Sequence, residues 1–179
     1  MSTPGRILCL AALLVAAGAS AGNVVPPQSN NASASMNTET ESRNKETVRA
    51  AFQAWSDGTG GPFALLTDDA QWTILGRSMA ARAYPDKAAF MNEVIHPFNA
   101  RLAEPLRPSV RKLYADGDTV IVFFDARGTA VDGKPYVNTY TWIMEMRGGQ
   151  AVKVWAFFDA IEFDELWTRV KPAPASRAP

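Results

Sequence analysis

The stretch that decides the fold is Tyr136–Asp159, YVNTYTWIMEMRGGQAVKVWAFFD. Two runs rich in Tyr, Trp, Val, Phe and Thr flank Gly148-Gly149, the pattern of two strands joined by a tight turn. The second run ends in a lone carboxylate, Asp159, directly after Ala156, Phe157 and Phe158. If Gly148-Gly149 closes a two-residue hairpin, Asp159 lies opposite Asn138, Phe157 opposite Tyr140 and Trp155 opposite Trp142. Asp132-Gly133 gives the same type I′ signal one hairpin earlier, setting Arg127 opposite Asn138, Asp125 opposite Tyr140 and Phe123 opposite Trp142. Directly opposed side chains share a face, so three rows are predicted: Arg127, Asn138, Asp159; Asp125, Tyr140, Phe157; and Phe123, Trp142, Trp155. The other face then carries Phe124, Thr139, Thr141, Ile143, Val154, Ala156 and Phe158. A one-residue slip at either turn would break the rows.

Outward from this hairpin, the period of two continues back to Ser109. Strands over 109–114, 119–128, 136–146 and 151–158 form a four-strand meander turned at Asp116-Gly117, Asp132-Gly133 and Gly148-Gly149. Before it the period is helical. Val48, Ala51, Phe52 and Trp55 mark a first helix capped by Asn44, and Pro62 opens a short second one ended at Thr67-Asp68-Asp69. Short strands follow at 71–75 and 82–84. Asp86 then caps a third helix bearing Phe90, Met91, Val94, Ile95 and Phe98, interrupted at Pro97. Phe163, Leu166, Trp167 and Val170 give a last helix over 161–170. Helices first and a meander last describe an α+β domain over 44–170, with helices covering one face of a curved antiparallel sheet.

The flanks read differently. Arg6, the apolar run 7–17 and Ala19-Ser20-Ala21 have the form of a signal peptide over 1–21, which implies a periplasmic or extracellular protein. Residues 22–43 are dense in Asn, Ser, Thr and Ala, with two prolines and few large apolar side chains, the composition of a disordered linker, and 171–179, with three prolines, that of a tail. The balance of 18 basic and 18 acidic residues, with no basic block, argues against nucleic acid as a partner. Cys9 is the sole cysteine and His96 the sole histidine, so no metal site and no cofactor motif is expected.

The order of elements resembles the cone-shaped NTF2-like superfamily, and within it the SnoaL-like group of ketosteroid isomerase and polyketide cyclase relatives. The residues that carry the resemblance are Gln71-Trp72-Thr73-Ile74-Leu75-Gly76, Tyr136-Val137-Asn138-Thr139-Tyr140, and Trp155-Ala156-Phe157-Phe158-Asp159 followed by Glu162-Phe163. The resemblance implies an apolar pocket between helices and sheet in which acids do general acid/base work on a small hydrophobic molecule. It sets Asp159 at the position of the pocket carboxylate of the cyclases and of the related limonene epoxide hydrolase, and Asp125 at another acid of that hydrolase. Where the hydrolase has an arginine two residues before that acid, this chain has Phe123.

Two functional expectations follow. In the first, the protein is an exported, cofactor-free isomerase, cyclase or lyase. Asp159 is the general acid/base with Asp125 or Tyr140 assisting, and Arg127 and Asn138 orient a carbonyl group. Tyr136 adds a further polar tip, Trp72, Trp142 and Phe123 line the pocket, and His96 sits at its mouth. The plainer readings are that Asp159 pairs with Arg127 or caps the next helix, and that Asp125 bonds Tyr140. In the second, the domain is a non-catalytic ligand-binding or dimerisation module, with the outer face of the sheet as the important surface. A homodimer is expected under both.

Overall fold

The computed structural model describes residues 29–172, with side chains from residue 35 onward. The signal peptide expected over 1–21, the start of the expected linker and the tail from 173 lie outside the described residues. Helix α1 (Ser29–Asp57) is followed by a 3-10 turn at Pro62–Leu65, β1 (Leu66–Ile74) and β2 (Ala83–Tyr84). A second helical segment joins α2 (Lys87–Phe90), a π turn at Met91–Ile95 and α3 (His96–Asn99). The meander is β3 (Leu102–Asp116), β4 (Thr119–Ala130), β5 (Pro135–Arg147) and β6 (Gln150–Phe158), and α4 (Ala160–Arg169) closes the chain. The six strands form one sheet in the order β2-β1-β6-β5-β4-β3, antiparallel except where β1 runs beside β6. The architecture is the predicted α+β one.

Local chemistry accounts for most of the boundaries. Asp86 caps α2 as expected, its carboxylate accepting from Ala89 N at 2.7 Å. Pro97 has no N–H to return to the turn before it, and the helix answers by widening to a π turn over Met91–Ile95 rather than breaking. Helix α1 starts at Ser29, so its N-terminal half occupies residues expected to be linker, and Asn44 is a buried residue within the helix, not its cap. Glu41 ties this half down by accepting from Gly117 N at the β3–β4 turn, 3.0 Å away. At its other end α1 stops at Gly58, φ 77, where Arg107 lies against the glycine Cα and donates to Trp55 O at 2.8 Å.

Both hairpin registers differ from the two-residue prediction by one residue. The β4–β5 connection is a three-residue loop, Val131, Asp132 and Gly133, in which Gly133 takes a φ of 84 and Ala130 pairs with Lys134. Arg169 on α4 holds Asp132 in that loop. The β5–β6 turn is the expected Gly148-Gly149 pair, with Arg147 opposite Gln150, but a bulge at Val152 shifts every later pair. Arg127 therefore pairs with Val137, Asp125 with Thr139, and Phe123 with Thr141 and through it Phe157. The inner rows are Phe124, Tyr140, Phe158 and Val122, Trp142, Ala156. None of the three predicted rows forms. β5 keeps its predicted face while β4 and β6 each turn over against it, because side chains alternate with a period of two.

The inner face and the helices enclose an aromatic core. Phe52 of α1 meets Phe124 at 4.9 Å and Trp142 at 5.5 Å, both edge-on, and Trp72 stacks on Phe90 of α2 at 4.1 Å. Such pairs add about 0.5–1.5 kcal/mol each beyond their buried area.

Candidate ligand pocket

The aromatic core is not filled to its end. A cavity of about 450 Å³ opens between the inner face of the sheet, the 3-10 turn and the π-bulged helix. Trp72, Trp142, Tyr140, Phe158 and Ala156 form its sheet wall; Trp55, Phe63, Phe90, Val94 and Phe98 form the helical side, and Phe163 closes it from α4. Among the described residues no Asp, Glu, Lys, Arg or His lines it. Its polar side-chain groups include the Tyr140 hydroxyl, the Trp72 indole N–H, which is buried without a hydrogen-bond partner, and Asn99, which is solvent-exposed.

Three residues of β5 tie that hydroxyl into a hydrogen-bond chain. Asn138 Oδ1 accepts from Thr139 N at 2.7 Å and Asp159 N at 2.9 Å, which fixes the amide so that Nδ2 faces Tyr136 Oη at 2.9 Å. Tyr136 Oη lies 2.9 Å from Tyr140 Oη. Either hydroxyl of this pair can donate; when Tyr136, whose oxygen accepts from Asn138, donates to Tyr140, the Tyr140 proton is left for the cavity. A chain of donors of this kind polarises each member and strengthens the last. Burial pushes the Tyr136 phenol up to about 12 and the Tyr140 phenol well above its ordinary value. Both stay neutral, so Tyr140 acts as a donor and not as a base.

The sequence-predicted residues divide sharply. Tyr140, Trp72 and Trp142 line the cavity, as expected. Asn138 is buried beneath it, and its predicted adjacency to Asp159 exists, made through the Asp159 backbone and not the carboxylate. Asp159 itself is exposed at the N-cap of α4, where it accepts from Ile161 N at 2.9 Å. Asp125 lies on the outer face, paired with Arg111 at 2.5 Å and bonded by the Thr139 hydroxyl at 2.7 Å; those two partners hold its carboxyl below the usual range. Arg127 is exposed on the same outer face, too far from Asp159 for the predicted ion pair to appear, and Phe123 lies there under the Arg111 guanidinium. His96 is exposed on α3 and does not line the cavity. The one-residue slips explain four of these corrections: moving β4 by one residue carries Asp125, Arg127 and Phe123 outward, and moving β6 carries Asp159 outward with Phe157, while Phe124 and Phe158 come inward.

Sequence reading missed Trp55, Phe63, Phe90, Phe98, Phe158 and Phe163 as cavity wall. Helical spacing marks most of them as apolar helix faces, but nothing in it says that the faces stop short of the sheet. The cap assignment makes a direct prediction: Asp159→Ala costs about 1 kcal/mol in chemical denaturation, and Asp159→Asn, which still caps, is close to neutral.

Comparison with known proteins agrees with this fold. The SnoaL-like domain family matches residues 46–154. Among solved structures, Bal32a from a soil-derived mobile gene cassette is 20% identical, with a TM-score of 0.59 over 72% of this chain and 98% of that one. TerC, co-crystallised with polyporic acid, is 22% identical with a TM-score of 0.57 over 70% of this chain and 98% of its own. An epoxide hydrolase of M. tuberculosis, like limonene epoxide hydrolase, is 14% identical with a TM-score of 0.51, covering 72% and 92%. At these identities the likeness is one of fold. No curated protein matches the chain. The family match spans more than half the chain and the six-strand sheet with its helices is the NTF2-like fold: this protein belongs to the SnoaL-like domain family.

Proposed function

We propose that the protein binds a small, uncharged, hydrophobic molecule carrying a hydrogen-bond acceptor such as a carbonyl, and seats that acceptor on the Tyr140 hydroxyl. The observation that carries the reading is an uncharged, largely apolar wall with two buried donors, the Tyr140 hydroxyl and the unpartnered Trp72 indole N–H. Apolar walls supply most of the affinity of such a site, and a small number of placed polar groups supply orientation. A charged ligand would be desolvated there with no counter-charge, which the lining does not offset. The relative TerC was co-crystallised with polyporic acid, and we take an oxygenated cyclic compound as the ligand class. Acid/base catalysis by Asp159 or Asp125 would need a carboxylate within reach of the bound molecule. Both face away from the cavity, which favours the binding reading over the isomerase, cyclase or lyase one. With residues 1–21 read as a signal peptide, the proposal locates this binding in the periplasm or outside the cell.

Trp55, Trp72 and Trp142 report on the cavity by fluorescence. Titration with α-tetralone and with tetralin, its hydrocarbon counterpart, tests the donor. The ketone is expected to bind about three- to tenfold more tightly, and Tyr140→Phe to erase that difference while leaving tetralin unaffected. Equal affinities in the parent protein, or a preference for the ketone that survives Tyr140→Phe, would contradict the reading.

A further inference from the structure

The cavity has an open end and a blind one. Gly60, Ala64, Asn99 and Pro105 line it and are exposed, so its mouth lies between the 3-10 turn, α3 and β3. Trp72, Ile74 and Phe90 line it at 3% exposure or less and form the closed end. The strand register places the two donors along this axis. Trp72 pairs with Val154, Ile74 with Ala156 and Ala156 with Trp142, whereas Tyr140 pairs with Phe158, the next inner row beyond Trp142. Tyr140 therefore stands four residues along the strands from Trp72, about 13 Å, and two strand spacings across, about 10 Å. The two side chains belong to opposite ends of the sheet wall.

Rings alone surround the Trp72 indole. Phe90 stacks on it at 4.1 Å, Trp142 meets it edge-on at 4.9 Å and Phe63 lies 6.0 Å away. None of these side chains carries an oxygen acceptor, and the indole nitrogen is buried with no hydrogen-bond partner. Burial alone asks for no N–H: a phenylalanine fills an apolar wall without leaving a donor unpaired, and native cores keep few such donors. We infer that Trp72 is the second recognition residue of the cavity, its indole N–H taking an acceptor at the blind end of the bound molecule while Tyr140 takes another. The ligand class is an elongated apolar molecule with an uncharged oxygen, carbonyl or ether, toward each of two ends. A ligand with a bare hydrocarbon tail leaves the Trp72 N–H unpaired, and a site built around a buried donor selects against the analogue that lacks its acceptor. This inference rests on the ligand reading above and adds to it a residue and a spacing.

Linear diketones with the carbonyls separated by about two to eight methylene groups, each compared by tryptophan fluorescence with the monoketone of equal length, test it. One spacing is expected to bind about three- to tenfold more tightly than its monoketone, and Trp72→Phe to remove that gain while monoketone affinity is kept. In isotope-labelled parent protein the Trp72 indole proton resonance should move downfield with that diketone and stay in place with the monoketone, a readout independent of how well the variant folds. A series in which no diketone outbinds its monoketone, a gain that survives Trp72→Phe, or an indole proton that the best diketone does not move overturns the inference. In each of those cases the ligand reading stands as long as the parent prefers ketones to hydrocarbons and Tyr140→Phe does not. A parent without that preference removes the ligand reading and this inference with it.

Discussion

Phe124→Ala is expected to lower the stability of the domain by about 3–5 kcal/mol, whereas Phe123→Ala, one residue earlier, costs less than about 1 kcal/mol in the monomer. Phe124 is fully buried and touches Phe52 at 4.9 Å, Trp142 at 5.1 Å and, in a parallel stack, Tyr140 at 4.9 Å. Removing its ring leaves a void that these rigid neighbours refill only in part. It also frees the Tyr140 ring from its stacking partner, so ligand selectivity should fall with stability. Phe123 faces outward under Arg111, and its loss empties nothing. Urea denaturation of the two variants reads the register directly. The two-residue hairpin register would reverse the order of the two costs.

Stability should also fall steeply above pH 10. Unfolded tyrosine ionises near pH 10, whereas burial pushes the folded Tyr136 phenol up to about 12, and Tyr140 is raised as well. Below pH 10 both states keep these protons and the contribution is fully present. Between about pH 10 and 12 the unfolded chain gives them up while the folded chain holds them, so the equilibrium shifts toward unfolding as the pH rises. The slope reaches roughly 1.4 kcal/mol per pH unit for each phenol. Urea midpoints measured at pH 8 to about 11 check this. Tyr136→Phe should flatten the fall, and a midpoint independent of pH across that range would contradict the burial of the pair. Because Tyr140 stays neutral well beyond physiological pH, ligand affinity should be level between about pH 5 and 9.

The elements were legible in the sequence because their signals are local. Asp86 carries its cap with it, Gly148-Gly149 carries its turn, and the β-branched and aromatic run between Thr119 and Gly128 carries a strand. The site was less legible because it depends on register, and register depends on where one residue is gained or lost. Asp132-Gly133 fits a two-residue turn and a three-residue loop alike, and the loop wins through a distant contact, Arg169 on α4. Val152 bulges next to a turn that is itself regular. These two slips separate Tyr140 from Asp125 and send both predicted carboxylates out of the pocket, while Asn138 and Tyr140, on the strand between them, stay where the sequence put them. The start of α1 was missed for a related reason: Glu41 meets Gly117 across the fold, and composition alone sees only a polar run.

The most direct test of the account is a crystal structure of the protein with α-tetralone bound. The account predicts the ketone oxygen about 2.7–2.8 Å from Tyr140 Oη, with the ring system among Trp72, Trp142 and Phe63 and both Asp125 and Asp159 out of contact. A ligand seated against either carboxylate, or one in the cavity with its oxygen turned away from Tyr140, would contradict it.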